Sequence, residues 1–234
     1  MYSVIIPSNG RINFLNELLE SIYSQTVPPE KIIILLDNNN ECKKGAKSID
    51  GKNICEIIFC DNLNVSQKRN YGALLSTTKY LIFSDDDDIW EFKKGEEIIK
   101  ALKYSQVVCH EYSKFGVFYQ KPKFLLGNKK KIITLIYLIY ASNIFGGGSS
   151  IASLREIVLA IPFNEEYAFC EDFDWWIKIL LAEIKIQYLP ISLVKYRVHK
   201  KNMTSNFFKI IKYDLKLFNK IIYKSLILFL AFVV

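Results

Sequence analysis

The stretch that most constrains the fold of this chain is a short apolar run that ends in four consecutive aspartates. The run Tyr80–Phe83 has the length and composition of a strand buried inside a sheet. After Ser84 come Asp85–Asp88, whose like charges repel one another at this short spacing. A cation or exposure to solvent would relieve the repulsion. The stretch therefore predicts a metal site at a sheet edge, with a solvated acidic turn as the alternative.

The residues before this stretch alternate between strand-like and helix-like patterns. Helical spacing occurs over Phe14–Ile22, where Asn13 is the expected N-cap, and a second helix is predicted over Val65–Leu75. Asp37–Asn40 is expected to form a polar turn. The other predicted strands are Ser3–Pro7, which Pro7 should end, Lys31–Leu36 and Glu56–Phe59. This βαβαβ order predicts an α/β fold with a Rossmann-like, doubly wound, mostly parallel sheet.

Polar residues follow three of these predicted strands at the point where each strand ends. Pro7-Ser8, Asp37 and Asp85–Asp87 all stand at carboxyl ends, which meet at one edge of a parallel sheet. Because doubly wound sheets bind ligands at that edge, the sequence predicts a pocket there. Arg69 adds a cation, and acids that hold a divalent metal beside an arginine suit a diphosphate.

The pattern changes after the acidic stretch. The elements predicted there are a short helix over Glu96–Leu102, a strand pair over Val107–Tyr119, a helix from Glu171 to Leu181 and a strand over Ile184–Leu189. The apolar run Ile132–Tyr140 is too short to span a bilayer.

Three stretches of this second half admit both a functional and a structural interpretation. Gly146–Ser150 lets the backbone approach a ligand or another strand closely, or it is a plain flexible loop. Glu171 and Asp172 are candidate site residues, although acids in a first helical turn are favoured by the helix dipole alone. His199 is a candidate as well, although a lone histidine is more often structural.

The net charge of +7 is concentrated at the C-terminus. Residues 200–234 contain seven lysines and one acid, whereas residues 1–199 are nearly neutral and show no basic stripe for nucleic acid. Lysines recur every three or four residues from Lys209 to Lys224, and the apolar run Leu226–Val234 follows. This predicts a basic amphipathic tail over residues 206–234 that binds an anionic membrane surface or packs as a helix on the body.

Length and cysteine content indicate a single domain with an appendage. Half of the 234 residues are hydrophobic, which excludes wholesale disorder. The five cysteines are odd in number and lack the spacing of metal ligands. Because no signal peptide precedes the first strand, we expect reduced thiols and a cytoplasmic location.

Together, these motifs resemble those of bacterial family 2 glycosyltransferases of the GT-A fold, over about residues 3–205. The order and spacing of the pieces are more specific than any single piece. The resemblance implies a glycosyltransferase domain over residues 1–205, with a nucleotide-sugar-binding half (1–90) and an acceptor and catalytic half (91–205). The matching pieces are Ser3–Pro7, Ser24–Thr26, Asp37, Arg69–Gly72, Asp85–Trp90, Glu171-Asp172 and Tyr196–His199.

The resemblance also implies a nucleotide-diphosphate-sugar donor, above all a UDP-sugar, and a divalent metal, Mn²⁺ or Mg²⁺. By resemblance, Asp87 and Asp85 ligate the metal, and Asp172 is the catalytic base of an inverting enzyme. Asn38 stands where the family often has an acid, so the identity of the nucleotide base is open. The residues implied to bind substrate are Pro7, Ser8, Asp37, Asn38, Arg69, Asp85, Asp86, Glu171 and His199.

The expected function is sugar transfer to a surface-polysaccharide, lipooligosaccharide or lipid-linked glycan acceptor, in the cytoplasm at the inner face of the cytoplasmic membrane. A carboxylate that takes the proton of an acceptor hydroxyl and a metal that stabilises a leaving diphosphate suit this chemistry. One alternative is a nucleotidyltransferase that makes the activated sugar, for which Pro7–Arg11 is a poor phosphate loop. Another is a catalytically silent nucleotide-sugar-binding homologue, against which the intact Asp87 and Asp172 argue.

Overall fold

The computed structural model describes residues 1–49, 52–116, 145–167 and 169–199, and eight strands in these ranges form one sheet. The expectations for residues 132–140 and for the tail over 206–234 lie outside the described residues. The order of the strands across the sheet is β3-β2-β1-β4-β7-β6-β8-β5. The strands are β1 (Tyr2–Ser8), β2 (Lys31–Asp37), β3 (Cys55–Cys60), β4 (Tyr80–Phe83), β5 (Ile89–Trp90), β6 (Val107–Gly116), β7 (Ala152–Leu154) and β8 (Ile186–Val198).

Most neighbouring strands of the sheet run parallel. β1 pairs in parallel with both β2 and β4, β2 pairs with β3 and β6 pairs with β8 in the same way. β7 runs antiparallel between β4 and β6, and β5 runs antiparallel beside β8. The carboxyl ends of β1, β2 and β4 therefore meet at one edge, as the sequence predicted.

Helices cover both faces of the sheet. Alternate residues of β2 enter two separate cores, because Ile33 packs in the same core as Trp176 whereas Ile34 packs in the same core as Leu15. This two-sided burial explains the unbroken apolar run in the sequence of β2. The helices are α1 (Ile12–Tyr23), α2 (Asn40–Ala46), α3 (Val65–Leu75), α4 (Lys94–Leu102), α5 (Arg155–Ala160) and α6 (Glu171–Leu181).

The starts of the first two helices differ from the sequence expectation. Gly10 adopts a φ of +96° and turns the chain so that α1 begins at Ile12, ahead of the expected cap at Asn13. Arg11 then stands at the N-cap position. The polar stretch after β2 opens a helix rather than a turn, because the side chain of Asn39 accepts a backbone N–H at 2.8 Å and caps α2.

Pro7 does not end the first strand, contrary to expectation. β1 continues to Ser8, although its pairing with β4 stops at Ile5 opposite Phe83. The carbonyl of Ile5 accepts from Ser84 N on the β4 side, so Pro7, two residues on, faces the same side beyond the end of β4. The missing N–H of Pro7 therefore costs no ladder hydrogen bond.

The strands of the second half differ from the prediction in number and in length. The described part of the expected strand pair is one strand, β6, which pairs with β8 along its length, and residues 117–119 lie outside the description. β8 extends well past the predicted end at Leu189, because it pairs with β5 as well as with β6. This extension carries His199 towards the aspartates that follow β4.

Two expectations, on disulfides and on membrane-spanning helices, can be compared with the described residues. None of the five cysteines, which all lie in the described ranges, forms a disulfide, as expected for reduced thiols. Within the same ranges, no helix has both the length and the apolar character needed to cross a bilayer.

Candidate active site

The acidic loop, Asp85–Asp88, lies directly after β4 at the carboxyl edge of the sheet. Its members differ in exposure: the side chain of Asp85 is 28% exposed, whereas the other three aspartates are buried. A buried carboxylate needs donors or cations to compensate for lost solvent. The partners of these carboxylates connect segments that are far apart in sequence.

Asp86 is held from the first strand and the first helix. Ser8 Oγ donates to Asp86 Oδ2 at 2.5 Å, and Arg11 donates to Oδ1 through Nε at 2.9 Å and through Nη2. Asp86 has no exposed surface and both of its oxygens are bonded, so in this structure it positions Ser8 and Arg11. A contact between Asp86 and a donor ribose would require one of these bonds to open, and that role stays a prediction.

Asp87 faces two nitrogen groups. Arg11 Nη1 lies 2.6 Å from Asp87 Oδ2, and His199 Nε2 lies 2.9 Å from the same oxygen. Arg197 donates to the Asp87 carbonyl through Nε at 2.8 Å. Burial raises the pKa of Asp87, and the charge of Arg11 opposes the rise. The C-terminal end of β8 therefore holds the acidic loop together with Arg11.

Arg69 on α3 connects the acidic loop to α6. It donates to Asp85 Oδ1 through Nη2 at 2.8 Å and to Glu171 Oε1 through Nη1 at 2.6 Å. The side chain of Arg69 is 2% exposed and lies over the ring of Phe163. Burial opposes its positive charge, but Glu171 and Asp85 outweigh that effect and raise the pKa of Arg69. Arg69 is therefore a permanently charged group between the two acids.

Asp172 stands beside this ion pair at the start of α6. Burial and the charge of Glu171 raise the pKa of Asp172 to about 7, while Arg69 opposes the rise. A carboxyl group with such a pKa is suited to taking up a proton near neutral pH. Asp174, two residues further along the helix, instead faces Lys178 at 3.3 Å.

The glycine segment, Gly146–Ser150, packs against the pair formed by Arg69 and Asp85. A Cβ atom at Gly148 would stand 2.0 Å from Arg69 Nη2 and 2.8 Å from Asp85 Oδ1, so a larger residue there would displace this ion pair. A Cβ atom on the preceding glycine would lie 3.6 Å from Asp172 Oδ2. The close backbone approach that the sequence allowed is therefore present, and it is made to side chains of the site.

A second buried cation lies beneath the acidic loop. Lys94 is fully buried, its Nζ donates to the Ser149 carbonyl at 2.7 Å, and Nζ lies 4.3 Å from the centre of the Trp90 ring. Burial lowers the pKa of Lys94 to about 7, against the opposing charge of Asp88. Ser149 Oγ in turn accepts from Asp85 N at 2.8 Å. Ser149 thereby joins the acidic loop to the glycine segment.

A separate polar group lies at the carboxyl ends of β2 and β3. Lys68 bonds Asp37 Oδ1 and donates to the Ser8 carbonyl at 2.7 Å. Asn38 Nδ2 donates to Asp61 Oδ1 at 2.7 Å, while Asn38 Oδ1 has no hydrogen-bond partner among the described residues. Lys68 connects this group to the acidic loop through Ser8.

The structure brings most of the predicted site residues to one edge of the sheet, whereas Pro7 is buried within β1. Direct contacts connect two sets of residues at this edge. In the first set, Arg11 joins Ser8, Asp86, Asp87 and His199. In the second set, Arg69 joins Asp85 to Glu171, and Asp172 stands beside them. Asp37 joins the first set through Lys68.

Sequence reasoning missed four residues of this edge: Arg11, Lys68, Lys94 and Ser149. Three of them carried a signal. Lys68 precedes Arg69 in the first turns of α3, Arg11 follows Gly10 in the loop after β1, and Ser149 lies in the glycine segment. Lys94 gave none, because a surface lysine and a buried lysine look the same in sequence.

The donor types at this edge fit a divalent cation. Carboxylate oxygen and imidazole nitrogen are ligands for Mn²⁺, and carboxylate oxygen is a ligand for Mg²⁺. Asp87 Oδ2 and His199 Nε2 stand 2.9 Å apart, and Asp85 presents a partly exposed carboxylate in the same loop. As the side chains are placed, no three His, Cys, Asp or Glu residues of the described ranges converge on a metal position. The guanidinium of Arg11 supplies positive charge to Asp87.

The fold is that of GT-A glycosyltransferases. S. aureus TarS 1–349 in complex with UDP-GlcNAc matches with a TM-score of 0.71 at 16% identity, over 88% of this chain and 60% of that chain. The complex of the same protein with UDP matches with a TM-score of 0.66 at 16% identity, over 84% and 60% of the two chains. At this identity the likeness concerns the fold.

Sequence comparison places the chain in a particular family. The family model described as Glycosyl transferase family 2 matches residues 3–159, and the chain belongs to that family. The amylovoran biosynthesis glycosyltransferase AmsB of Erwinia amylovora is 24% identical over 232 residues, which are 92% of this chain and 75% of that protein. An uncharacterized glycosyltransferase of Rickettsia typhi is 24% identical over 214 residues, and the match covers 88% of this chain and 66% of that protein.

Proposed function

We propose that this family 2 glycosyltransferase moves a sugar from a nucleotide-diphosphate-sugar, with inversion at the anomeric carbon, to a hydroxyl of a surface polysaccharide, lipooligosaccharide or lipid-linked glycan. The observation that carries the proposal is the connection from Asp85 through Arg69 to Glu171, which ends beside Asp172. It joins groups suited to a diphosphate with a carboxylate suited to proton abstraction. Family membership supports the nucleotide-sugar donor.

In the proposed reaction, Asp172 accepts the proton of the acceptor hydroxyl. The acceptor oxygen forms a bond to the anomeric carbon while the bond from that carbon to the diphosphate oxygen breaks. The electron pair of the broken bond leaves with the nucleoside diphosphate, and the fixed charge of Arg69 stabilises the developing negative charge. Attack on the face opposite the leaving group inverts the anomeric configuration.

A pKa of about 7 suits Asp172 for this role. A base whose pKa lies near the working pH is present in its ionised form and still holds the proton it receives. The expected pH profile of transfer therefore rises through pH values near 7. The proton is then released to solvent after the product has left.

Mn²⁺ or Mg²⁺ is the proposed cofactor, held by Asp85 and Asp87 with His199 as a further ligand. The metal would supply Lewis-acid stabilisation of the leaving diphosphate. The partly exposed carboxylate of Asp85 and the facing imidazole of His199 support this assignment.

A UDP-sugar is the proposed donor, with its base at the ends of β2 and β3. The presence of UDP and UDP-GlcNAc in the matched TarS structures supports a uridine nucleotide. Asp37 directly precedes Asn38 in the chain, and Asp61 accepts from Asn38 Nδ2 at 2.7 Å, so two carboxylates stand at this end of the sheet. These acceptors suit an N–H of the base.

The proposed place of action is the inner face of the cytoplasmic membrane, supported by the basic pattern of residues 206–234. Removal of residues 207–234 should release the protein from anionic liposomes, because each lysine near an anionic surface contributes about 1 kcal/mol. Co-sedimentation at low and high salt measures this. A truncated protein that no longer folds would show instead that the tail packs on the body.

A donor screen that follows the release of nucleoside diphosphate, with and without Mn²⁺ or Mg²⁺, tests the proposed function. We expect release with one sugar nucleotide, faster when an acceptor glycan is present. Pyrophosphate formed from a nucleoside triphosphate and a sugar phosphate would favour the nucleotidyltransferase. No turnover with any donor would favour a silent binding protein.

A further inference from the structure

Arg11 is a charged residue of the site that glycosyl transfer, as derived above, does not use. Its guanidinium bridges two aspartates: Nε and Nη2 donate to Asp86 Oδ1, and Nη1 lies 2.6 Å from Asp87 Oδ2. Nη1 also lies 3.4 Å from His199 Nε2. The guanidinium therefore stands where the candidate metal ligands Asp87 and His199 converge.

A divalent cation and this guanidinium compete for the same carboxylate oxygen. Two positive groups a few ångströms apart repel each other, and a divalent charge doubles the effect. Asp87 Oδ2 already has two nitrogen partners, so a metal ligated by that oxygen has to displace Arg11 Nη1. In the arrangement described here, Arg11 neutralises Asp87 in the way a bound cation would.

Arg11 can turn away from Asp87 without leaving Asp86, because Nε and Nη2 donate to the same oxygen, Asp86 Oδ1, and the planar guanidinium can rotate about that oxygen. Asp86 has no exposed surface and is also held by Ser8, so it retains Nε and Nη2. The side chain of Arg11 is 25% exposed, so a ligand from solvent can reach it. A guanidinium with a freed N–H edge next to a metal is a strong partner for phosphate oxygen.

We propose that Arg11 is an internal counter-ion that competes with the divalent metal for Asp87 and binds the donor diphosphate once the metal has taken that oxygen. This inference rests on the proposed function for the identity of the anion. It assigns Arg11 two opposite effects: it weakens the binding of metal alone, and it strengthens the binding of nucleoside diphosphate together with metal.

The test is the affinity of the purified protein for Mn²⁺ alone, measured by calorimetry, followed by its affinity for UDP at saturating Mn²⁺. For Arg11→Gln we expect Mn²⁺ to bind about tenfold more tightly, because a positive charge is removed from the metal position. UDP should bind about tenfold more weakly, because a charge-assisted bond to phosphate is lost. Neither measurement depends on turnover.

A second variant is needed in case Arg11→Gln does not fold, because that substitution leaves Asp86 buried without its cation. Arg11→Lys keeps a charge for Asp86, but a single ammonium cannot bridge both aspartates as the guanidinium fork does. It should also bind Mn²⁺ more tightly. The matched control is Lys31→Gln, which removes a positive charge at the opposite end of β2, where Lys31 pairs with Glu56.

Unchanged or weaker Mn²⁺ binding in folded Arg11→Lys would overturn the competition. The competition would also be overturned if the wild type bound UDP without a divalent cation and no variant bound Mn²⁺. Arg11 would then replace the metal. The expected shifts without turnover of any donor would leave the inference standing and contradict the proposed function instead.

Discussion

Replacing Asp172 by asparagine should make the protein more stable near neutral pH and almost inactive in transfer. The carboxyl group is partly buried beside Glu171, and its pKa of about 7 shows that ionisation is unfavourable in the folded state. Asparagine has nearly the same shape as the protonated acid and never ionises. The substitution therefore removes the cost of the charge together with the proposed base.

The magnitude follows from the difference between the folded and unfolded pKa values. A folded pKa above the unfolded one favours folding below the unfolded pKa, and this contribution is lost as the pH rises to the folded pKa. A rise from 3.8 to about 7 corresponds to at most about 4 kcal/mol at pH values above the folded pKa. Between about pH 5 and about pH 8, the stability advantage of Asp172→Asn should grow by up to about 3 kcal/mol.

Urea denaturation of the wild type and the variant at several pH values in this range measures the advantage directly. In thermal melts, 1 kcal/mol corresponds to roughly 2–4 °C for a protein of this size. In parallel, steady-state transfer should fall by about 10²-fold or more, while donor affinity stays near that of the wild type. The matched control is Asp174→Asn, which removes the partner of Lys178 on the same helix and should cost far less transfer.

A stability difference that does not change with pH would refute the electrostatic reasoning. An Asp172→Asn protein that transfers sugar at the wild-type rate would refute the assignment of the base. Higher stability with full activity would show that the raised pKa of Asp172 arises from its packing alone and serves no catalytic purpose.

Further predictions follow from the same contacts. Gly148→Ala should lower transfer by about 10²-fold in steady-state assays, because the new Cβ atom would push Arg69 off its partner in the acidic loop. Lys94→Met should lower the free energy of unfolding by about 1–3 kcal/mol in urea titrations, since the buried Ser149 carbonyl loses its donor. Asp87→Asn should lose most of the Mn²⁺-dependent donor binding seen by calorimetry, and wild-type affinity would remove Asp87 from the site.

Local pattern in the sequence was enough to predict the first half of the fold. Apolar runs located β2 and β4 closely, because a strand buried on both faces leaves a continuous apolar stretch in the sequence. The predicted bounds of α3 also agree with the structure. The topology rule for parallel sheets then placed Ser8, Asp37 and the acidic loop at one edge. The resemblance of the motifs to family 2 glycosyltransferases was confirmed by the family match.

The second half was harder to predict, because its strands depend on partners that are distant in sequence. β8 runs to Val198 since β5 and β6 supply hydrogen bonds on both sides, and nothing local in its sequence requires that length. The starts of α1 and α2 likewise depended on a positive φ at Gly10 and on a cap by Asn39.

Only the tertiary structure decided which cation meets which acid. The sequence shows Arg11, Lys68, Arg69 and Lys94 as separate basic residues, and their charges alone do not select a partner. Arg69 reaches Glu171, 102 residues away, because α3 and α6 pack on the same face of the sheet. Charge–charge attraction acts in every direction and over several ångströms, so it does not by itself select a partner. Each cation meets its particular acid because the backbone places the two side chains together. The packing of the two cores fixes that backbone.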